Sequence, residues 1–445
     1  MRLGLVDLLE ATGGSIAGGS QVAEAVSTFH TDSREVVPGG LFFALKGAET
    51  DGHRFVGQAA EQGASAVVVE RMVANLPGVA QVVVADSWRA LYELAAHVLR
   101  RLNPLVVGIT GSNGKTSTKE MTAAVLGTRF RVRRTEGNLN TETGVPLTIL
   151  GLQPGEDALV LEMAMQRAGE IRQLAELARP RVGVVTTVGS VHMEFFATQD
   201  DLALAKGELV QALPPDGLAV LNADDPFFGL LQSVTRAPVR SFGLERGDLR
   251  GERYEQLPEG GSRFETDGVE VRLSLPGRHQ ARNALAALAV GEFAGIPVGE
   301  GAVTLREVEL GQRLQEVRAP GGYIVVDDAY NASPESMLAA FETIAERPRS
   351  GPLLAVLGEM RELGALAEEA HRRVGRSAAE VFDQVCVIDV GFGAVLAEAA
   401  HASLVPDKVA AAAWVREHAT AGSLVLVKAS HGLALDEVVR ALVAV

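Results

Sequence analysis

Short runs of β-branched and other apolar residues alternate along the whole chain with longer stretches rich in Ala, Leu and Glu. Examples of these runs are residues 66–69, 81–84, 105–109, 182–185, 323–326 and 353–357. Continuous apolar runs are typical of strands that are covered on both faces, as in parallel sheets. Because helical stretches separate the runs, the sequence predicts layered α/β domains.

The length and two irregular stretches predict three domains. The chain has 445 residues, and a domain takes roughly 150 residues. A charged stretch at 100–104 precedes a new strand, and a second irregular, charged stretch covers 305–320. We therefore expect domains at 1–100, 101–311 and 312–445. The Gly- and Glu-rich stretch 244–270 is interpreted as a hairpin or long loop rather than a linker.

Charge and composition exclude several classes of protein. The formal net charge of −15 disfavours binding to nucleic acid or to an anionic membrane. The apolar runs are shorter than the ~18 residues that a membrane span needs, and Asp7 and Glu10 interrupt any signal peptide. The single cysteine, Cys386, excludes an intrachain disulfide framework and lies in an apolar run that predicts a core position. The composition therefore predicts a cytoplasmic protein.

The strongest local motif joins a strand, a Gly-rich turn and a helix in residues 106–126. Glycines allow a polyphosphate to approach the backbone, a helix N-terminus faces it, and Lys115 neutralises it. Thr116 is placed to ligate Mg²⁺. Ile109 occupies the first glycine position of the strict pattern, which argues against an ordinary P-loop NTPase but not against phosphate binding. The alternative is a structural turn that carries this motif by chance.

The loop sequence 110–116 resembles that of the Mur ligases, the ATP-dependent amide-forming enzymes of peptidoglycan precursor synthesis. Segments 31–34, 38–45 and 51–53 are similar to the uridine-nucleotide-binding domain of that family, and segments 327–334 and 356–364 to its third domain. The resemblance implies three α/β domains. The first binds the UDP-sugar substrate, the second has a P-loop-type parallel sheet with helices on both faces, and the third is Rossmann-like.

The third-domain segments resemble the family member that uses D-Ala-D-Ala. This resemblance implies an ATP-dependent ligase that joins D-Ala-D-Ala to UDP-MurNAc-tripeptide through an acyl phosphate, with ATP and two Mg²⁺ as cofactors. It also implies a monomer whose domains close around the substrates. Alternatives are ligases that add a diamino acid, D-Glu or L-Ala, folate ligases, and a nucleotide-dependent scaffold protein. The identity of the diamino acid in the tripeptide stays open.

The resemblance also implies roles for individual residues. The catalytic candidates are Lys115, Lys206, His192, Glu162 and Arg313. The metal candidates are Thr116, Glu162, His192 and a carbamylated Lys206. The ATP-binding candidates are Gly111, Ser112, Asn113, Gly114, Lys115, Thr116, Ser117, Asn283, Asp328, Tyr330 and Asn331. The candidates on the UDP-substrate side are Ser33, Arg34, Asn138 and Asn140.

Three of these residues have ordinary alternatives. Glu162 ends an apolar run, so it emerges where an α/β sheet opens into its ligand crevice, and its oxygens suit Mg²⁺. A solvated glutamate is the alternative. His192 is an unusual Mg²⁺ ligand, and a lone histidine is more often a packing residue. Lys206 would be a surface charge unless burial keeps its amine neutral, as carbamylation requires.

Other positions leave a choice or depart from the family pattern. Asp327 and Asp328 follow a strand, where they suit either a general base or a loop cap, and the family places the second one on ribose. His371 suits either a site or a packing role. His431 replaces an arginine of the C-terminal family motif, and an imidazole lacks the bidentate fork of a guanidinium. Further departures are Ala429, Ala164, Gln280, Thr141 and Thr143.

Overall fold

The computed structural model describes residues 2–17, 25–47, 49–73, 76–258, 260–311, 313–347 and 349–444. These residues form three α/β units that follow one another along the chain. Within the described ranges, no helix combines the length and the apolar character that crossing a membrane requires.

The N-terminal unit extends from β1 to α3. Its strands are β1 (Leu3–Gly4), β2 (Ser15–Ala17), β3 (Ala25–Val26), β4 (Phe29–His30), β5 (Leu41–Phe43), β6 (Ala66–Val69) and β7 (Ala80–Val83). Its helices are α1 (Leu5–Thr12), a 3-10 helix (Gly52–Phe55), α2 (Val56–Glu61) and α3 (Ser87–Leu102). The main sheet has the order β2-β7-β6-β5-β4 and is parallel except at β2.

The central unit begins with the first four strands and helices of its main sheet. The strands are β8 (Leu105–Thr110), β9 (Val132–Arg134), β10 (Ala158–Glu162) and β11 (Val182–Val185). The helices are α4 (Lys115–Leu126), α5 (Gly144–Leu150), α6 (Glu170–Ala178), a 3-10 helix (Met193–Phe195) and α7 (Gln199–Gln211). Thr198 caps α7 by accepting a hydrogen bond from the Asp201 amide, which explains where this helix begins.

The central unit then adds an edge to this sheet, a small antiparallel sheet and three helices. The strands are β12 (Leu218–Asn222), β13 (Val239–Gly243), β14 (Leu249–Arg250), β15 (Glu252–Gln256), β16 (Ser262–Thr266) and β17 (Val269–Leu273). The helices are α8 (Phe228–Val234), α9 (Arg278–Phe293) and α10 (Val298–Leu305). The seven-stranded sheet is entirely parallel, with the order β14-β13-β12-β11-β8-β10-β9, and β15-β16-β17 form the antiparallel sheet.

The C-terminal unit is a second open α/β sheet. Its strands are β18 (Gln315–Arg318), β19 (Ile324–Asp327), β20 (Leu353–Leu357), β21 (Gln384–Ile388), β22 (Ser403–Val405) and β23 (Leu424–Lys428). Its helices are α11 (Pro334–Ala345), a 3-10 helix (Gly364–Leu366), α12 (Ala367–Val381), α13 (Gly393–Ala400), α14 (Lys408–His418), a 3-10 helix (His431–Leu433) and α15 (Asp436–Val443). The order is β18-β19-β23-β20-β21-β22, with β18 antiparallel to its neighbour.

Apolar side chains cover both faces of the two large sheets. In β10, Leu159 and Leu161 pack into one core with α5, α6 and α7, whereas Val160 packs into the opposite core with α4 and α9. Strands covered on both faces explain the continuous apolar runs. Stretch 244–270 contains paired strands, in agreement with the hairpin interpretation, and Cys386 is fully buried in β21. The exact domain boundaries stay a prediction.

Strand order explains where functional loops gather. Strands β10, β8 and β11 are neighbours, and parallel pairing places Glu162 opposite Ile109 and Val185 opposite Thr110. The loops that follow these three strands therefore share one edge of the sheet, as expected for the ligand crevice of an open α/β sheet. In the C-terminal unit, β19 and β23 are likewise neighbours, and Asp327 lies opposite Val427.

Candidate active site

The loop between β8 and α4 requires glycine at two positions. Gly111 has φ +148°, and a Cβ added there would lie 1.9 Å from the Thr186 hydroxyl oxygen. Gly114 has φ +82°, and its Cβ would lie 2.6 Å from Asn283 Oδ1. The loop thus packs closely against two neighbouring segments, and only glycine fits this backbone and these contacts.

Lys115 begins α4, and its amine turns back over the loop. Its Nζ donates to the Gly111 carbonyl at 2.8 Å and to the Ser112 carbonyl at 3.4 Å. Burial lowers the pKa of Lys115, Glu162 partly opposes this effect, and Arg313 lowers the pKa further. A cation therefore lies at a helix N-terminus beside a carboxylate and a second cation, an arrangement suited to bound phosphate.

Glu162, the last residue of β10, is held at both carboxylate oxygens. The Thr116 hydroxyl donates to Oε2 at 3.0 Å, and the Asn140 amide donates to Oε1 at 2.8 Å. Its backbone N–H donates to the Thr135 hydroxyl at 3.0 Å. With 3% exposure, Glu162 is not the solvated strand-end glutamate of the alternative interpretation.

Lys206 lies in α7 and is completely buried, with 1% exposure. No other residue in the described part of the chain forms a hydrogen bond or an ion pair with its amine. Burial lowers its pKa well below the usual value, and the nearby cation Lys115 lowers it further. The surface-charge alternative for Lys206 is therefore wrong, because the side chain is inside the protein.

His192 follows β11 and faces the C-terminal unit. Its Nδ1 lies 2.5 Å from Oε2 of Glu362, and its backbone has a left-handed φ of +73°. No group of three or more His, Cys, Asp and Glu side chains is arranged to hold a metal ion among the residues that the structure describes. The predicted metal set contains only two such residues, Glu162 and His192, together with a hydroxyl and a lysine.

The C-terminal unit contributes a buried ion pair and a cation–aromatic contact. Lys428 Nζ lies 2.6 Å from Asp328 Oδ2 and donates to the Asn331 carbonyl at 2.8 Å. The Arg313 guanidinium lies 4.3 Å from the centroid of the Tyr330 ring. Arg313 also lowers the pKa values of Lys115 and Lys428. These four candidates of the third domain therefore lie together, facing the phosphate loop.

Two polar contacts join the central and C-terminal units beside this loop. The Ser333 hydroxyl donates to Asn113 Oδ1 at 3.2 Å, and the Ser190 hydroxyl donates to Glu335 Oε1 at 2.9 Å. Asn113 also accepts hydrogen bonds at its carbonyl oxygen from the Thr186 and Thr187 hydroxyls. The structure thus brings the candidates of the second and third domains to one interface.

The UDP-side candidates are distributed over two units. Ser33 is buried and donates to Gln58 Oε1 at 2.7 Å, whereas Arg34 is exposed and pairs with Asp32. This pairing lowers the pKa of Asp32 to about 2. Asn138 is exposed on the loop after β9, and the Asn140 amide reaches Glu162. Among these four residues, Asn140 is the one that contacts the phosphate-loop site.

Two further candidates have structural partners. His371 is fully buried, its Nε2 accepts from the Met360 amide at 2.9 Å, and its Nδ1 lies 2.6 Å from the Ala367 carbonyl. This pattern favours the packing role. The Asp327 carboxylate accepts from the Ala329 amide at 3.0 Å, and burial raises its pKa. Asp327 therefore has the geometry of a loop cap.

Three sequence profiles of one family match consecutive parts of the chain. The profile of the Mur ligase family catalytic domain matches residues 26–101, that of the Mur ligase middle domain residues 109–291, and that of the Mur ligase glutamate ligase domain residues 312–431. The UDP-N-acetylmuramoyl-tripeptide–D-alanyl-D-alanine ligases of Bacillus subtilis and Escherichia coli are each 36% identical to the chain. Both alignments cover 98% of this chain and 97% or 98% of the relative. The chain belongs to the Mur ligase family.

Solved Mur ligases share the whole arrangement. MurF from Acinetobacter baumannii superposes with a TM-score of 0.92 at 28% identity and covers 100% of this chain and 99% of that one. The MurF ligase of Thermotoga maritima, solved in complex with ADP, has a TM-score of 0.83 at 33% identity and covers 94% and 97%. The predicted family and the predicted three-domain α/β architecture are confirmed.

Sequence reasoning missed two buried lysines of this Mur ligase. Lys119 Nζ donates to the Thr135 carbonyl at 2.8 Å and lies 4.0 Å from Glu162 Oε2. Lys428 directly precedes Ala429, one of the departures from the family pattern, and pairs with Asp328. A signal existed for both: Lys119 lies one helical turn after Lys115, on the same face of α4, and Lys428 ends an apolar strand as Glu162 does.

Proposed function

We propose that this Mur ligase joins D-Ala-D-Ala to UDP-MurNAc-tripeptide at the expense of ATP, giving ADP, phosphate and UDP-MurNAc-pentapeptide for peptidoglycan synthesis. The observation that carries this proposal is the 36% identity, over 98% of the chain, to relatives named for that reaction. The phosphate loop supports it, because a carboxylate must be activated before it forms an amide in water.

The proposed reaction has two steps. The terminal carboxylate of the tripeptide attacks the γ-phosphorus of ATP, the bond to the ADP oxygen breaks, and an acyl phosphate forms. The amine of D-Ala-D-Ala then attacks the acyl carbon, and the tetrahedral intermediate expels phosphate as the amine loses a proton. Lys115 and Arg313 would stabilise the negative charge that develops on the transferred phosphoryl group. Asn283, Asp328, Tyr330 and Asn331 would hold the nucleoside.

We propose two Mg²⁺ ions in this reaction. Thr116 and Glu162 fit the first, because a hydroxyl and a carboxylate 3.0 Å apart offer the oxygen ligands that Mg²⁺ prefers. When bound, the ions neutralise phosphate charge. His192 would serve the second ion through Nε2, since its Nδ1 faces Glu362. A carbamate on Lys206 would supply oxygen in place of nitrogen.

Carbamylation of Lys206 requires a neutral amine. Its nitrogen attacks the carbon of CO₂, an N–C bond forms, and one proton is released to leave a carbamate anion. The lowered pKa of Lys206 supports this step, because the amine is then neutral at lower pH than an exposed lysine. Incubation with ¹³C-bicarbonate should give a carbamate resonance by NMR that is missing in Lys206→Ala, and the same resonance in both proteins would contradict the assignment.

We assign the substrates to the three predicted domains. Residues 1–100 would bind the UDP-sugar through Ser33 and Arg34, with Asn138 and Asn140 of the central domain on the peptide side. Residues 101–311 would bind ATP, and residues 312–445 would close on the nucleotide and receive D-Ala-D-Ala. We further propose a cytoplasmic monomer that binds neither nucleic acid nor a membrane, in line with the net charge of −15. Light scattering of the purified chain tests the monomer.

The decisive experiment is mass spectrometry of the product. The purified chain is incubated with ATP, Mg²⁺, UDP-MurNAc-tripeptides that carry different diamino acids, and either D-Ala-D-Ala or single amino acids. A product extended by the dipeptide supports the proposal and identifies the diamino acid that is accepted. Extension by a single amino acid would place the chain among the rival ligases instead.

Two controls complete this test. Lys115→Ala should abolish ligation while circular dichroism stays unchanged, and ligation at the wild-type rate would refute the role of Lys115. Positional isotope exchange in ATP separates an enzyme from a nucleotide-dependent scaffold protein. Exchange that depends on the tripeptide indicates acyl-phosphate formation, and nucleotide binding without exchange would favour the scaffold.

A further inference from the structure

Two loops from different units meet beside the phosphate site. One loop follows β11 in the central unit and contains His192 and Glu194, and the other follows β20 in the C-terminal unit and contains Glu362 and Gly364. His192 Nδ1 lies 2.5 Å from Glu362 Oε2, and the Glu194 amide lies 3.5 Å from the Glu362 carbonyl. A Cβ on Gly364 would lie 2.8 Å from the Cα of Glu194. The two backbones therefore pack directly against each other.

Both residues of the charged contact have an unfavourable backbone conformation. His192 has φ +73° and Glu362 has φ +62°, which is the left-handed region that side chains with a Cβ rarely adopt. Such conformations persist where the surroundings hold them, and they cluster at functional sites. Here the two strained residues face each other, so that each backbone presents its side chain to the other.

The contact determines how the imidazole is presented. A carboxylate oxygen 2.5 Å from Nδ1 favours the tautomer that carries its proton on this nitrogen, which leaves the lone pair of Nε2 for a ligand. The other two polar contacts described above between the units, from Ser190 to Glu335 and from Ser333 to Asn113, contain no titratable nitrogen and do not touch His192. Contacts other than that of Glu362 therefore hold the C-terminal unit against the central unit. The Glu362 carboxylate, in addition, lies against the imidazole of His192.

We propose that Glu362 is a positioning residue that orients the imidazole of His192 from across the boundary between the two units. His192 is then aligned with Nε2 free only while the C-terminal unit is docked on the central unit. This inference rests on the proposed function, in which His192 serves the metal side of the site. The position of the third domain thereby determines whether the His192 imidazole is aligned for ligation.

The test uses three variants with different geometry and charge. Glu362→Gln keeps the length and the acceptor oxygen but loses the charge, Glu362→Asp keeps the charge but is too short, and Glu362→Ala loses both. Glu194→Gln is the matched control, because it removes an exposed carboxylate from the same interface without touching the imidazole. All are examined by NMR of ¹⁵N-labelled imidazoles at alkaline pH, with the His192 signal assigned by its loss in His192→Gln.

We expect the Nδ1–H tautomer of His192 in the wild type, in Glu362→Gln and in Glu194→Gln. Glu362→Asp and Glu362→Ala should move the signal toward the Nε2–H tautomer that a free neutral imidazole prefers. The same two variants should lose about tenfold to hundredfold in kcat/KM, as for other partners that orient metal-binding histidines. If charge alone mattered, Glu362→Asp would resemble the wild type and Glu362→Gln would fail, which would overturn the proposal.

The outcomes separate this inference from the proposed function. Unchanged ligation by His192→Gln would remove the metal role of His192, whereas the tautomer measurement would still report on the contact with Glu362. Impaired ligation by His192→Gln together with a wild-type tautomer and rate in both Glu362→Asp and Glu362→Ala would refute the positioning role alone. If Glu362→Ala failed to fold, the opposite expectations for Glu362→Gln and Glu362→Asp would still decide.

Discussion

Lys206 in the central unit and Lys428 in the C-terminal unit are both buried to 1% exposure, but they differ in what surrounds the amine. Lys428 lies 2.6 Å from Asp328 and also donates to the Asn331 carbonyl. Within the described residues, Lys206 has no such partner, and the charged group that acts on its pKa is another cation, Lys115. The same residue type thus lies in two opposite electrostatic environments.

The difference shows how a partner decides the chemistry of a buried lysine. Burial lowers the pKa of both amines, but Asp328 opposes this effect at Lys428. Lys428 therefore forms an ion pair that holds the loop after β19 in the C-terminal unit. Among the described residues no carboxylate opposes the effect of burial at Lys206, so the neutral form of its amine is favoured more than in an exposed lysine.

The largest expected effect comes from Lys206→Met. Methionine has a similar volume but no amine, so that the proposed carbamate cannot form. We expect ligation to fall on the order of 100-fold or more, as when one electrostatic group of an active site is removed. Thermal stability should be unchanged or higher, because no buried partner is left unpaired. Lys408→Met, which removes a partly exposed lysine paired with Glu437, is the control. Ligation by Lys206→Met near the wild-type rate would show that the Lys206 amine is not needed for the reaction.

Lys428→Met should show the opposite behaviour. It leaves the Asp328 carboxylate buried without its cation, which typically costs about 3–5 kcal/mol. We expect the urea midpoint of the C-terminal unit to fall accordingly, and the double variant Lys428→Met/Asp328→Leu to recover part of the loss. Equal stability of Lys428→Met and Lys206→Met would show that the ion pair contributes little.

The cations around Lys428 also act on His279, and this effect depends on pH. Burial, followed by Lys428, Arg282 and Arg313, lowers the pKa of His279 to about 4, from about 6.5 in the unfolded chain. Between these values the unfolded chain binds a proton that the folded chain does not. The free energy of unfolding should therefore fall as the pH decreases through this window, by at most about 1.4 kcal/mol per pH unit.

His279→Asn should weaken this pH dependence when denaturant unfolding is measured across the window. Lys428→Met should reduce it as well, because one of the cations that lower the pKa of His279 is gone. The control is His401→Asn, since His401 is exposed and its left-handed φ of +51° suits asparagine. An unchanged slope in His279→Asn would assign the pH dependence to other groups.

The smallest expected effect concerns Ser333, which connects the Lys428 region to the phosphate loop. Its hydroxyl caps α11 by accepting from the Ser336 amide and also donates to Asn113 Oδ1. Ser333→Ala should cost about 1 kcal/mol through the lost cap and should raise the KM for ATP, whereas Ser333→Thr should preserve both. A KM that is the same in Ser333→Ala and Ser333→Thr would confine the role of Ser333 to the helix cap.

Much of the fold could be predicted because each strand carries its own signal. Runs such as 182–185 and 353–357 form strands at the predicted positions. A strand that is buried on both faces consists of consecutive apolar residues, which can be recognised in the sequence. The helix predicted after the Gly-rich turn is observed as α4 (Lys115–Leu126), which ends at the last residue of the predicted motif. Glu162 could be identified in the same way, because a charge that ends an apolar run emerges at the ligand edge of a sheet.

The partners of the site could not be predicted in this way. Glu362 lies far from His192 along the chain, and no local pattern indicates that the two left-handed residues face each other. That Lys206 has no charged or hydrogen-bonding partner among the described residues is likewise not visible in its helix. The neighbouring Glu208 instead accepts from the Gly169 and Arg172 amides at the start of α6.

The sequence alone determined the α/β layers, the phosphate loop and the family, because apolar periodicity and glycine positions are local properties that can be recognised before the fold is known. The tertiary structure decided which buried cations are neutralised and which are not. That choice depends on Coulomb interactions over a few ångströms between side chains that lie far apart along the chain, and such distances exist only once the chain has folded.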